Sequence, residues 1–405
     1  MAFVFDAVLQ DDLFASSSAP VSTVVANVFD DRVPPASGSS SADPSTGPSH
    51  QHVVSTSTTA TASSQLSVDA TRKRKHLTTN LDGVDERITK KSKAEERLFR
   101  DVYTWDGTFL GSGAFGDVLP CVHRQTGDRV AVKLVKRAST GSSSLRRVLQ
   151  EINCAYLFSS SPAIIDIVEY FQEQDCFYTV YKRMEGGDLS TFLREHGRLS
   201  LFEASKVCGD VALALLEMHM CGIAHRDVKP ANILCEREGR VFPARLADFD
   251  LASEIPSDQK SRTEPQKMFY PCGTDYYLSP EMVQCFVGEH DASYTVKTDI
   301  WSLGVTLYRM VFGKRPFTRG CYAHRWDPHH RCRDCKDALY HQIETGNWSF
   351  PDDCDFVVSD AAKDLISRML VIDPNQRMSA RDVLIHPFVS EPEFVAGPGS
   401  PSGSP

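Results

Sequence analysis

The chain has no run of about 18 apolar residues, the length a helix needs to cross a bilayer, so no membrane span is expected. It also has no basic segment at its start. Asp6, Asp11 and Asp12 interrupt the apolar residues there, which argues against a secretory signal. Positive charge is not in excess: 44 Lys and Arg face 53 Asp and Glu, a net charge of −9, so direct binding to nucleic acid is not expected. No cysteine precedes Cys121 or follows Cys354, and the 12 between them are irregularly spaced. That pattern fits reduced thiols in an intracellular compartment, nuclear or cytoplasmic. From about Pro20 to Thr71 large apolar residues are scarce and Ser, Thr, Ala, Pro and Gly dominate. Such a segment cannot bury enough surface to offset its ordering entropy and reads as disordered, as does Gly397 to Pro405.

What remains is long enough for a two-lobed domain. Order is expected from near Tyr103 to near Phe388, with residues 1–102 and 389–405 as tails. Phe3, Val4, Phe5, Val8, Leu9, Leu13 and Phe14 read either as an unstructured start or as a short docking helix for a protein partner. Two basic clusters, Arg72-Lys73-Arg74-Lys75 and Lys90-Lys91-Ser92-Lys93, are either solvated linker or a signal for a nuclear import receptor.

Glycines at 111, 113 and 116 have a G-x-G-x-x-G spacing, which alone is also compatible with a dinucleotide-binding fold. The following residues decide between the two. Val118 to Val122 and Arg129 to Val135 are apolar runs joined by the turn cluster Gln125-Thr126-Gly127-Asp128, which predicts a hairpin rather than a strand-to-helix step. A glycine-rich hairpin lets backbone amides approach phosphates without an intervening Cβ. Lys133 lies in the second strand on the opposite face from Val132 and needs an anionic partner. Glu151, on a predicted helix from about Leu145 to Phe158, supplies one, and the pair would hold the ammonium against nucleotide phosphates. Further on, His225-Arg226-Asp227-Val228-Lys229-Pro230-Ala231-Asn232 gathers a base, cations and an amide, and Asp248-Phe249-Asp250 adds a metal-binding carboxylate. These are the parts needed to move a phosphoryl group from a nucleotide to a hydroxyl.

Together with Ser279-Pro280-Glu281, Asp299-Ile300-Trp301-Ser302, Asp373-Pro374-Asn375-Gln376-Arg377 and His386-Pro387-Phe388, these motifs resemble the eukaryotic protein kinases, serine/threonine type, over 103–388. The resemblance implies an α+β bilobal fold: a small antiparallel sheet with one helix, a larger helical lobe, and ATP between them. It implies that Asp227 orients or deprotonates the substrate hydroxyl and that Lys229 neutralises the transferring group. Asn232 and Asp248 would hold Mg2+, and Lys133 would contact the α- and β-phosphates. The nucleotide would also meet Leu110, Gly111, Ser112, Gly113, Ala114, Phe115, Gly116, Val118 and Ala131, the linker residues Lys182 and Met184 with Tyr181 behind them, and Asp188 near the ribose. Glu281 would pair with Arg377, and Asp299 would anchor the catalytic-loop backbone.

Four departures qualify the resemblance. Asp250 stands where glycine is usual, which would stiffen the backbone or repel phosphate. A nucleotide-binding scaffold with little catalysis is therefore the alternative. Arg226 would receive a phosphate from the activation segment, but the usual position holds Tyr270, a poor match for autophosphorylation, which leaves Thr263 or Ser261, another kinase, or no phosphate at all as the switch. Ala231 and Arg309 occupy places where carboxylates favour basic substrates, so preference for basic protein substrates should be weak. Finally, residues of about 318–338 form an insertion carrying Cys321, His324, Cys332 and Cys335, with His329 and His330 between. Four such ligands suit a structural, tetrahedral Zn2+.

Overall fold

The computed structural model describes residues 97–113, 116–136, 142–174, 176–254, 268–289, 292–318, 333–352, 354 and 356–392. A short helix α1 (Phe99–Val102) leads into a six-stranded antiparallel sheet. Its strands are β1 (Tyr103–Trp105), β2 (Gly111–Gly113), β3 (Gly116–His123), β4 (Arg129–Lys136), β5 (Ile167–Gln172) and β6 (Cys176–Lys182). The order is β1-β3-β4-β6-β5, with β2 folded back onto β3. Helix α2 (Ser142–Leu157) connects β4 to β5. Composition placed the first ordered residue near Tyr103, but Phe99 and Val102 are buried ahead of it, Phe99 stacking on Tyr178 with centroids 4.2 Å apart.

The sheet alternates as its sequence demands. Val130, Val132 and Leu134 are buried in the cluster built around Phe99, whereas Ala131 and Lys133 turn to the other face, toward the second lobe. Val118 pairs with Lys133 in register across β3 and β4, so the glycine hairpin sits directly over the lysine.

The second lobe is mainly helical. It contains α3 (Leu189–His196), α4 (Leu201–Met220), α5 (Pro280–Val287), α6 (Lys297–Phe312), α7 (Arg333–Glu344), α8 (Asp360–Met369), α9 (Ala380–Ile385) and α10 (Pro387–Ser390). Short pairs β7 (Ile223–Ala224) with β10 (Ser253–Glu254) and β8 (Ile233–Cys235) with β9 (Ala244–Leu246) hold the loops that face the sheet. A reciprocal Ser200–Glu203 capping box starts α4, whose Val211, Leu215 and Met218 are fully buried. Helix α6 is buried almost all round, and its buried polar residues Thr298, Asp299, Ser302 and Thr306 are all hydrogen-bonded. This architecture is the α+β bilobal fold that the motifs implied.

Helix α5 is fastened to the lobe through one buried ion pair. Arg377 Nη1 and Nη2 lie 2.7 and 2.9 Å from Glu281 Oε1 and Oε2. The same guanidinium donates to the carbonyls of Val371, Ile372 and Lys297, so its donors are fully used.

Candidate active site

Three carboxylates converge on one ammonium between the lobes. Lys133 Nζ stands 2.9 Å from Glu151 Oε2, 3.1 Å from Asp248 Oδ1 and 2.9 Å from Asp250 Oδ1. Burial acts to lower the Lys133 pKa, but Glu151, Asp248 and Asp250 together outweigh it and hold the pKa well above its ordinary value. Tyr181 Oη donates to Glu151 Oε1 at 2.7 Å, so α2 is tied to the sheet through both Lys133 and Tyr181. Sequence reasoning put Tyr181 behind the nucleotide; this hydroxyl contact has no local signal, since it joins residues 30 positions apart.

The catalytic loop is set by Asp299, which is fully buried at the start of α6. Its Oδ2 accepts from His225 N at 2.9 Å and its Oδ1 from Arg226 N at 2.8 Å, while His219 Nε2 lies 2.8 Å from Oδ2. Burial would raise the Asp299 pKa, but the hydrogen bond from His219 and these further contacts bring it below the usual range. Held this way, Arg226 adopts a left-handed φ of 68°, and Asp248 across the cleft has φ 64°. Backbone strain of this kind, about 1–3 kcal/mol per residue, persists only where surrounding contacts enforce it.

Asp227 is the centre of a close polar group. Its Oδ2 accepts from Lys229 Nζ at 2.7 Å and Asn232 Nδ2 at 3.2 Å, and its Oδ1 accepts from Thr274 Oγ1 at 2.7 Å. Lys229 also reaches Thr274 Oγ1 at 2.9 Å. Thr274 was missed as a site residue. It is brought in by Gly273, whose φ is 113° and where an added Cβ would meet Arg226 O at 2.7 Å, closer than any side chain permits.

The residues suit Mg2+, a hard cation that takes oxygen ligands. Asn232 Nδ2 donates to Asp227 O and Oδ2, which leaves the Asn232 amide oxygen as a donor to metal. The Asp248 side chain is 35% accessible from the cleft. Desolvation works to raise its pKa, and the Lys133 ammonium more than compensates, so it stays ionised below the usual range.

Asp250 behaves differently from expectation. The sequence suggested stiffened backbone or phosphate repulsion, with no ligand replaced. Instead Asp250 is buried and joins the Lys133 cluster, and the left-handed backbone falls at Asp248. Its Oδ2 has no hydrogen-bond partner among the described residues. Burial first, then the nearby Glu151, push its carboxyl from 3.8 up to about 9. A carboxyl with a raised folded-state pKa keeps a proton that the unfolded chain has released. Its contribution to stability is therefore complete below about pH 4 and is lost progressively as pH rises toward about 9. Asp250→Asn keeps the shape without that titration. Urea midpoints measured from pH 5 to 9 should fall less steeply with pH in the variant; parallel curves would contradict this account.

The remaining sequence-chosen residues fall around the same cleft. Gly116, at φ 138°, approaches β4 so closely that an added Cβ would meet Leu134 O at 2.4 Å. Ser112 Oγ donates to Asp117 Oδ1 across the hairpin at 2.6 Å, and Leu110 is exposed at its base. Lys182 ends β6 and bridges to Glu236 at 3.2 Å, followed by buried Met184. Asp188 caps α3, accepting from Thr191 N at 2.9 Å and Thr191 Oγ1 at 2.8 Å. The Arg226 side chain donates to Leu251 O at 2.6 Å and Tyr294 Oη at 2.9 Å, while Tyr270 is 84% exposed. Ala114, Phe115, Ser261, Thr263, Cys321, His324 and Cys332 lie outside the described residues, as do the N-terminal apolar segment and both basic clusters. Cys335 is buried in α7.

Comparison with known proteins identifies the family. The protein kinase domain family matches residues 105–389. MAP kinase-interacting serine/threonine-protein kinase 1 of Xenopus tropicalis is 38% identical over 294 residues, covering 72% of this chain and 70% of that protein. The protein of the same description from Xenopus laevis is 37% identical over 305 residues, covering 74% and 72%. MAP kinase-interacting serine/threonine-protein kinase mnk-1 of Caenorhabditis elegans is 36% identical over 301 residues, covering 72% of this chain and 42% of that protein.

Proposed function

The chain belongs to the protein kinase family and is a serine/threonine protein kinase that uses ATP and Mg2+ on protein substrates, and we propose that the groups around Asp227 and Lys133 carry out the transfer. The observation that carries this assignment is the pairing of Lys133 with Glu151 and Asp248 on one side of the cleft, opposite Asp227 with Lys229, Asn232 and Thr274 on the other.

In this reading the glycine hairpin from Leu110 to Val118 covers the phosphates, Lys133 binds the α- and β-phosphates, and Ala131, Lys182 and Met184 border the adenine. Asp188 already caps α3, so it meets the ribose through a carboxylate whose position is fixed. Asn232 and Asp248 would hold Mg2+, which when bound would supply positive charge to offset that developing on the transferring phosphoryl group. The acceptor hydroxyl displaces the Thr274 hydroxyl at Asp227. Its oxygen bonds to the γ-phosphorus as the bond to the β,γ-bridging oxygen breaks, and its proton passes to Asp227. ADP leaves with the bridging oxygen. Lys229 stands beside the transferring group as a counter-charge.

Arg226 supports a switch that needs no phosphate at Tyr270, because Leu251 O and Tyr294 Oη already orient its guanidinium through Nε and Nη1. Mass spectrometry of fully active protein should find Tyr270 unmodified; loss of activity with loss of a phosphate there would overturn this. For the flanking regions, tails lie on either side of a kinase domain that takes in Phe99 and Val102 ahead of 103–388 and α10 at its end. The apolar start is a docking segment, and the relatives' description as MAP kinase-interacting makes a MAP kinase the partner to test. Removal of residues 1–14 should abolish co-purification with such a kinase. The basic clusters act as nuclear import signals, tested by relocation of a fused reporter to the nucleus. The insertion binds structural Zn2+ through Cys321, His324, Cys332 and Cys335. Elemental analysis of protein purified without chelator should give about one zinc per chain, and none would refute the site.

A further inference from the structure

Two arginines stand beside the acceptor site without a carboxylate partner among the described residues. Helix α6 ends in a left-handed Gly313, and Arg309 on its last turn makes a long contact, 3.4 Å, from Nη1 to Gly313 O. Past the turn, the Arg315 guanidinium lies 3.7 Å over the ring of Tyr276. Neither forms an ion pair among the described residues, and both are partly accessible. The carboxylates nearby are committed elsewhere. Asp275 meets Lys336 and Tyr340, Asp227 is held by Lys229 and Thr274, and Asp188 caps α3.

The location gives these charges a role. Tyr276 and Tyr277 belong to the 3-10 turn Asp275–Tyr277, which directly follows Thr274, the residue hydrogen-bonded to Asp227. Ser302 Oγ pins this turn to α6 through Tyr277 O at 2.7 Å. Burial raises the pKa of the neighbouring Tyr277 hydroxyl, against the opposing pull of the Arg315 and Arg309 charges. Arg315 thus stacks on a residue two positions along the chain from Thr274, which is bonded to Asp227. An extended substrate advances about 3.3 Å per residue, so residues two or three places from the acceptor are the ones to test against these charges.

We propose that Arg309 and Arg315 form a specificity-determining pair that binds an anionic substrate side chain, carboxylate or phosphoryl, two or three residues from the acceptor hydroxyl. This deepens the kinase reading and rests on Asp227 marking the acceptor position. An unpaired, stacked guanidinium is suited to a planar carboxylate or a phosphoryl group, and its stacking on Tyr276 holds it ready. The same two charges disfavour basic side chains there, in line with the weak basic preference expected from Ala231 and Arg309.

The test is a peptide array with Gln, Glu, phosphoserine or Lys at each of the two or three positions on either side of the acceptor, phosphorylated by the full chain. Wild type should prefer Glu over Gln by about fivefold at one of these positions, the upper range for a partly exposed pair. Phosphoserine well above Glu assigns phosphorylated substrates; phosphoserine at or below Glu assigns acidic ones. Arg309→Glu and Arg315→Glu should move the preference toward Lys at that position, a gain that misfolding cannot mimic. The wild-type preference should also weaken as salt rises. No anion preference in wild type, or one that persists in both charge reversals, overturns the proposal. If wild type phosphorylates no peptide at all, the reading of Asp227 fails instead and takes this one with it; if the Gln peptide is phosphorylated without anion preference, only this one fails.

Discussion

Asp227→Asn is expected to lower kcat by about 10²–10⁴-fold, the range for loss of a positioned general base, while binding of ATP persists. The reason lies in the separation of the two halves of the site. Lys133, Glu151 and Asp248, which serve the nucleotide, make no direct bond to Asp227. An asparagine can still hold Thr274 and Asn232 through its amide, so the loop keeps its shape, but it cannot accept the hydroxyl proton. It also releases Lys229, whose 2.7 Å ion pair fixes it beside the acceptor. Steady-state kinetics should therefore show kcat falling with little change in KM for ATP. Thermal shifts with ATP should match wild type. A variant with near-normal kcat would show that the base lies elsewhere.

Arg377→Met is expected to cost about 3–5 kcal/mol of stability, because it leaves Glu281 as an unpaired buried charge. Both partners are nearly inaccessible, and the guanidinium also satisfies three backbone carbonyls. The damage should spread to α5 and to the activation-segment end that α5 anchors. Adding Glu281→Leu to Arg377→Met removes the stranded charge, so the double variant should be less destabilised than the sum of the single changes. Urea denaturation measures each term. A single-variant cost below about 1 kcal/mol would place the pair among weak, solvent-screened bridges.

The legible parts of this protein were those written in local spacing. Alternation along β4 placed Lys133 on the cleft face, and the apolar run after Asp299 announced a buried helix able to hold the catalytic loop from below. The Glu281–Arg377 pair followed from motifs alone. What escaped depended on approach between distant segments. Asp250 looked like a backbone problem because its neighbours in sequence are Asp248 and Phe249, whereas its neighbours in space are Lys133 and Glu151. Tyr181 reaches Glu151 through a strand-to-helix contact that no periodicity records. Tyr294, which takes one Arg226 donor and donates to Tyr270 O, sits in a loop without any motif. Phe99 lay in a region whose composition reads as tail, yet it fills the sheet's apolar face.

Asp250 also gives the site a charge logic. Lys133 meets Glu151, Asp248 and Asp250 together, and of the three only the Asp248 side chain is appreciably accessible, which leaves it as the carboxylate open to a divalent cation.

The most direct measurement is transfer of labelled γ-phosphate from ATP to a serine- or threonine-containing protein substrate by the purified chain, with Asp227→Asn in parallel. The account predicts Mg2+-dependent phosphoserine or phosphothreonine that disappears with chelator and falls at least about 100-fold in the variant. ATP binding without transfer under any divalent metal, or equal labelling by Asp227→Asn, would contradict it.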